Sequence, residues 1–139
     1  MSEPWGDPEK IRRVLASGDT WAVVGLSNAP GRAAYSVARF LQQCGKRVVP
    51  VHPAAETVHG EPGYASLADI PFPVDVVDVF RRSEAAGEFA DQAVEIGAKA
   101  VWFQLDVVDE AAYERATAAG LDVVMDRCPA IEWPAHGPR

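Results

Sequence analysis

Cysteine is scarce in this 139-residue chain: Cys44 and Cys128 are the only two, and they form no metal-binding or C-x-x-C pattern. That excludes a disulfide-built fold and points to a reducing, cytoplasmic setting. No apolar run approaches the roughly 18–20 residues needed to cross a bilayer. Charges at Glu3, Asp7, Glu9, Lys10, Arg12 and Arg13 argue against a signal peptide at Met1–Gly18. Positive charge is also short. The net charge of −7 opposes general nucleic-acid binding. Catalytic groups are sparse as well: no Ser–His–acid set and no isolated pair of carboxylates can be proposed. His52 and His59, with Glu56 between them, read as loop residues rather than a metal site.

What is present is uneven. Residues 1–82 carry nine basic and nine acidic side chains, whereas 83–139 carry four basic and eleven acidic. An anionic ligand is therefore expected near Arg32, Lys46, Arg47, His52, Arg81 and Arg82, and a solvated acidic face on the later helices. Apolar residues make up 48% of the chain, enough for a substantial core.

A βα rhythm runs through the sequence. Asp7-Pro8 is a cap and first-turn pair for a helix over about 8–17. Strands are expected at Thr20–Leu26, Arg47–Val51, Val74–Phe80, Val101–Leu105 and Leu121–Met125. Helices are expected from about Ala33 to Cys44, from a Ser83 cap to Gly97, and over Asp109–Ala119, with a helical turn around Ser66–Asp69 and an irregular tail over about 129–139. Gly45, Gly97 and Gly120 each follow a helix and precede a strand closely, as a left-handed helix end requires. Valine-rich strands without alternation indicate burial on both faces. The expected fold is α/β: a single doubly wound, Rossmann-like domain of about five parallel strands with helices on both faces.

The first βα junction, TWAVVGLSNAPGRAAYSVAR over Thr20–Arg39, is the most pointed segment. A loop that breaks a strand at Gly25 and feeds a helix N-terminus offers backbone N–H groups to phosphate. It is not the G-x-G-x-x-G dinucleotide fingerprint, because Ser27 and Pro30 stand where the second and third glycines belong. The second strand ends in Val51-His52-Pro53 rather than in the carboxylate that holds the ribose of NAD, which suits a ligand with a ribose phosphate, either NADP or coenzyme A. Arg81-Arg82 before a helix oppose its dipole, so a bound anion explains them. Asp78, inside a buried strand, is expected to accept hydrogen bonds. Trp102 and Phe103 read as core, and Cys44 and Cys128 as packing residues.

In order along the chain, VVGLS, PVHP, VDVVDVFRR, WFQL and MDRCPAIE resemble the small stand-alone CoA-binding proteins, single domains similar to the CoA-binding domain of the succinyl-CoA synthetase alpha subunit. The resemblance spans about Trp21–Glu132. It implies CoA held by the first βα loop and the neighbouring strand ends: Gly25, Ser27 and Asn28 at the phosphates with Arg32 close by, Tyr35 on the following helix, His52 and Pro53 at the nucleotide, Phe80 and Arg81 after the third strand, and Gln104 after the fourth. The family often has serine where this chain has Ala33-Ala34, asparagine at His52, glycine at Asp106 and histidine at Trp133. The synthetase reaction needs a phosphorylated histidine in a following domain and a partner subunit, neither of which these residues include. The expectation is thus a binding protein for CoA or a short acyl-CoA, acting as carrier, sensor or accessory subunit, with a protein partner open. The alternative is an NADP-dependent oxidoreductase or epimerase.

Overall fold

The computed structural model describes residues 4–138. A turn of 3-10 helix at Pro4–Gly6 precedes α1 (Pro8–Ser17), whose cap is Asp7: its carboxylate accepts the Glu9 N–H. The chain then alternates through β1 (Thr20–Val24), α2 (Ala33–Gln43), β2 (Arg47–Val51), a 3-10 turn at Leu67–Asp69, β3 (Val76–Val79), α3 (Ser83–Glu95), β4 (Ala100–Phe103), α4 (Glu110–Ala118), β5 (Asp122–Val124) and α5 (Pro129–His136). All pairings are parallel and the strand order is β2-β1-β3-β4-β5. The expected α/β sheet of about five parallel strands is what forms.

Strand alternation divides the core in two. Ala22, Val24, Val49, Val51, Val77, Val79, Val101 and Phe103 face α3 and α4. Trp21, Val23, Val48, Val76, Trp102 and Val124 face the other way, toward α1, α2 and α5. In α2, Ala34, Val37, Ala38 and Leu41 recur at helical spacing and supply its buried stripe. In α3 the stripe is Ala86, Gly87, Ala90 and Ala93, small enough to bring α4 close. A β-carbon at Gly87 would lie 2.6 Å from Asp109 Oδ2, the carboxylate that caps α4 at Ala112 N–H.

The structure corrects three expectations. Residues Pro129–His136 are helical rather than an irregular tail: Pro129 opens the helix, and Trp133 packs on Phe40 of α2, which anchors it. Arg82, not Ser83, occupies the cap position of α3. The Ser83 hydroxyl is instead engaged by the next βα loop, donating to Asp106 O and accepting from Val108 N–H. Asp78 is fully buried in register between Val23 and Trp102, and neither carboxylate oxygen has a hydrogen-bond partner. Its two strand neighbours present only apolar surface. Burial therefore pushes its carboxyl well above the usual carboxylate range.

Candidate ligand-binding groove

β2 and β3 lie on opposite sides of β1, so the connections leaving β1 and β3 run to opposite faces of the sheet. In an open parallel sheet this switch point opens a crevice beyond the strand carboxyl ends. Gly25 sits at its floor with φ +97°, a conformation that L side chains rarely adopt. A β-carbon there would come within 2.9 Å of Phe80 O, so glycine lets the ends of β1 and β3 close up.

Two cavities meet at this point. The larger, about 530 Å³, is lined by Gly25, Arg32, Ala33, Ala34 and Phe80, by Arg81–Glu84 at the start of α3, and by Gln104–Val107 after β4. The smaller, about 270 Å³, reaches over β2 and α3 and includes His52, Pro53, Ser66, Glu88 and Phe89. Gly25 and Arg81 line both. Together they make a two-lobed groove whose larger lobe falls within the ~300–1,000 Å³ typical of small-molecule sites.

The electrostatics at the junction favour an anion. The helices α2 and α3 both begin here, and neither cap residue, Arg32 or Arg82, supplies a side-chain acceptor to the first turn. Their first N–H groups lie at the groove; the first turn of α2 has no acidic side chain to offset its dipole, whereas that of α3 carries Glu84. Arg32 and Arg81 are exposed, and among the described residues neither has a carboxylate partner. Arg82 reaches Glu84 at 4.0 Å, at the surface. Cations placed against the positive ends of helices repel them unless an anion lies between. Deeper in the large lobe, Gln104 is 7% exposed, and its buried Oε1 has no donor.

Of the residues expected at the site, Gly25, Arg32, Phe80, Arg81 and Gln104 line the large lobe, and His52 and Pro53 the small one. His52 Nδ1 accepts the Ala54 N–H at 3.1 Å, which leaves the proton on Nε2. Ser27, Asn28 and Tyr35 are not among the lining residues of either lobe. The Asn28 side chain donates to Thr57 O at 2.8 Å, and its backbone N–H donates to Glu56 Oε1. Tyr35 stacks on His59, with ring centroids 4.2 Å apart, while His59 Nε2 lies 2.8 Å from Tyr35 O. These two residues tie the β1–α2 connection to the segment after β2.

Ser83, Glu84 and Phe89 also line the groove and carry no sequence motif that marks them, whereas Leu105 and Asp106 follow directly from the end of the fourth strand. Their signal was positional, since all flank a strand carboxyl end or face one from α3. Cys128 is 6% exposed at the start of α5 and lines neither lobe. Among the described residues no group of three His, Cys, Asp or Glu side chains could hold a metal ion, and no helix is long and apolar enough to cross a membrane.

The same architecture recurs in known proteins. The chain is 36% identical over 119 residues to the protein YneT of Bacillus subtilis (strain 168), covering 86% of this chain and 88% of that one. A hypothetical protein from Pyrococcus horikoshii OT3 superposes with a TM-score of 0.88 at 36% identity, covering 98% of this chain and 99% of the other. A dinucleotide-forming acetyl-coenzyme A synthetase from Ca. Korarchaeum cryptofilum, at 24% identity and TM-score 0.69, shares the fold over 81% of this chain and 26% of its own. The family model for a CoA binding domain matches residues 19–134, from the start of β1 through most of α5. A doubly wound sheet, a groove at its switch point and that match together place this chain in the CoA binding domain family.

Proposed function

We propose that this protein binds coenzyme A or a short acyl-CoA in the two-lobed groove, without catalysis of its own. The observation that carries the reading is the convergence of both lobes on Gly25 and Arg81, where two helix N-termini and two unpaired guanidinium groups gather. Coenzyme A has that shape and charge: an anionic pyrophosphate in the middle, an adenosine phosphate on one side and pantetheine on the other.

Fold-level precedent puts the ribose of a nucleotide over the end of the second strand. The small lobe, with His52, Pro53 and Phe89, therefore suits the adenosine half. No carboxylate ends β2, where the ribose hydroxyls of NAD would be held, and Arg81 lines the same lobe together with Glu88 of α3. Pyrophosphate then falls at Gly25, the first turn of α2, Arg32 and Arg81. Pantetheine is left the large lobe, whose Phe80, Leu105 and Val107 match its methylenes.

The test is native mass spectrometry of the purified protein, followed by calorimetric titration with CoA, acetyl-CoA, NADPH and NAD. Saturable binding of CoA or acetyl-CoA with NADPH and NAD inert is the expected result. Selective NADPH binding would instead favour the oxidoreductase reading.

A further inference from the structure

The large lobe carries charge of both signs. Arg32, Arg81 and Arg82 line it where α2 and α3 begin, and two carboxylates line it as well, Glu84 in the first turn of α3 and Asp106 at the end beyond β4. Asp106 is held in place with unusual firmness for an exposed loop residue. Its φ is +66°, a left-handed conformation in which non-glycine residues are uncommon. Its N–H donates to Asp126 Oδ1 at 2.7 Å, and its carbonyl accepts from the Ser83 hydroxyl at 3.2 Å. Asp126 is itself left-handed, with φ +56°. Two successive strand ends thus fix an aspartate on the lobe wall, with a second carboxylate directly behind it. The cations nearest this end have carboxylate neighbours of their own: Arg82 stands 4.0 Å from Glu84, and Arg127 is 3.9 Å from Asp126 Oδ2.

We infer that this acidic end selects the acyl group: it admits the free thiol and uncharged short acyl chains and rejects acyl groups that end in a carboxylate. The inference rests on the CoA reading above, in which pantetheine occupies the large lobe, and puts its thiol end beside Leu105 and Asp106. A terminal carboxylate there would meet Asp106 and Glu84, the two carboxylates that line the lobe, with Asp126 behind Asp106. Juxtaposing like charges is an established way to exclude a competitor that otherwise fits.

The experiment compares CoA, acetyl-CoA and succinyl-CoA by calorimetric titration at low ionic strength, with the wild-type protein and with Asp106→Gly and Asp106→Asn. Glycine suits the φ of this position, and asparagine tolerates it while keeping the side-chain size. Acetyl-CoA is expected to bind about as well as CoA, with succinyl-CoA roughly tenfold weaker or more. Both variants should close that gap to within about threefold, each measured against its own CoA affinity, and added salt should narrow it in the wild type. Equal wild-type affinity for acetyl-CoA and succinyl-CoA would overturn the inference and leave the CoA reading standing. A gap that persists in both variants would also overturn it, since the discrimination would then not come from Asp106. Failure of CoA itself to bind would overturn the underlying reading and this one with it.

Discussion

Arg81 and Gly25 meet in the same groove, yet only one of them gives a clean test of it. Any side chain at Gly25 would strain the backbone and crowd Phe80 O, so a loss of binding there would be inseparable from a loss of fold. Arg81 is exposed, without a carboxylate partner among the described residues, and its removal should leave stability within about 0.5 kcal/mol. Arg81→Ala is expected to weaken CoA binding about 10- to 100-fold, the worth of a charge-assisted contact of roughly 1.5–3 kcal/mol. Calorimetry on the variant, alongside its denaturation midpoint, checks both halves of that expectation.

Asp78 makes the other residue-scale prediction. Its carboxyl is buried without a partner, so the folded state keeps the proton well above the ordinary value of 3.8, while the unfolded chain releases it there. Folding thus favours the protonated form. Its contribution to stability is complete below pH 3.8 and is lost progressively as pH rises toward the folded value, by up to about 1.4 kcal/mol per pH unit. Asp78→Asn cannot titrate. Urea midpoints measured from pH 4 to 8 should show a steeper decline in the wild type than in the variant, and parallel curves would contradict the assignment. Sequence alone marked this strand as buried, but not that its aspartate lacks a partner, since hydrogen bonds across a sheet depend on register and on what the covering helices present.

Among the elements, α5 shows most plainly where local sequence ran out. Two prolines within an eight-residue helix, Pro129 at its start and Pro134 inside it, read as an irregular tail. Pro134 does lie within the helix, and packing against α1 and α2 offsets its cost. Trp133 meets Phe40 edge-on at 6.1 Å and lies 5.8 Å from the Lys46 ammonium. Lys46 is itself buried, and desolvation lowers its affinity for a proton although Asp19 works in the opposite sense. Trp133→Ala should therefore cost about 2–3 kcal/mol, below the ~3–5 kcal/mol of a fully buried tryptophan because the ring is only partly enclosed. Chemical denaturation would reveal it, and a change under about 0.5 kcal/mol would mean that α5 is merely resting on the surface. By contrast, α1 is legible from its Asp7-Pro8 start and α2 from the glycine stop at Gly45, signals that are local in each case.

At the scale of the whole molecule, the groove belongs to connections that are distant in sequence, and ligand binding should couple them. CoA that binds the native state alone, present at about 100 times its dissociation constant, should stabilise the protein by about 2.7 kcal/mol. For a chain of this size that corresponds to a rise of roughly 6–11 °C in the melting temperature. Differential scanning fluorimetry with CoA, and with NADPH as the control, measures it. The shift should shrink as salt is added, because exposed Arg32 and Arg81 act on the pyrophosphate through screened charge.

By itself the sequence determined the class of the fold, its five strands and the strand-to-helix junction at Gly25. Those follow from short-range physics: strand-length valine runs, helix stops at glycine, and a strand that breaks into a helix at Gly25. Only the tertiary structure decided which of the expected residues share a groove. It put Arg32, Arg81 and Gln104 on one wall while turning Asn28 and Tyr35 toward the segment after β2. It also brought Ser83, Asp106 and Asp126 together from three different loops. The reason is topological: parallel strands bring side by side the ends of segments that are tens of residues apart, and no local pattern records which loops will meet.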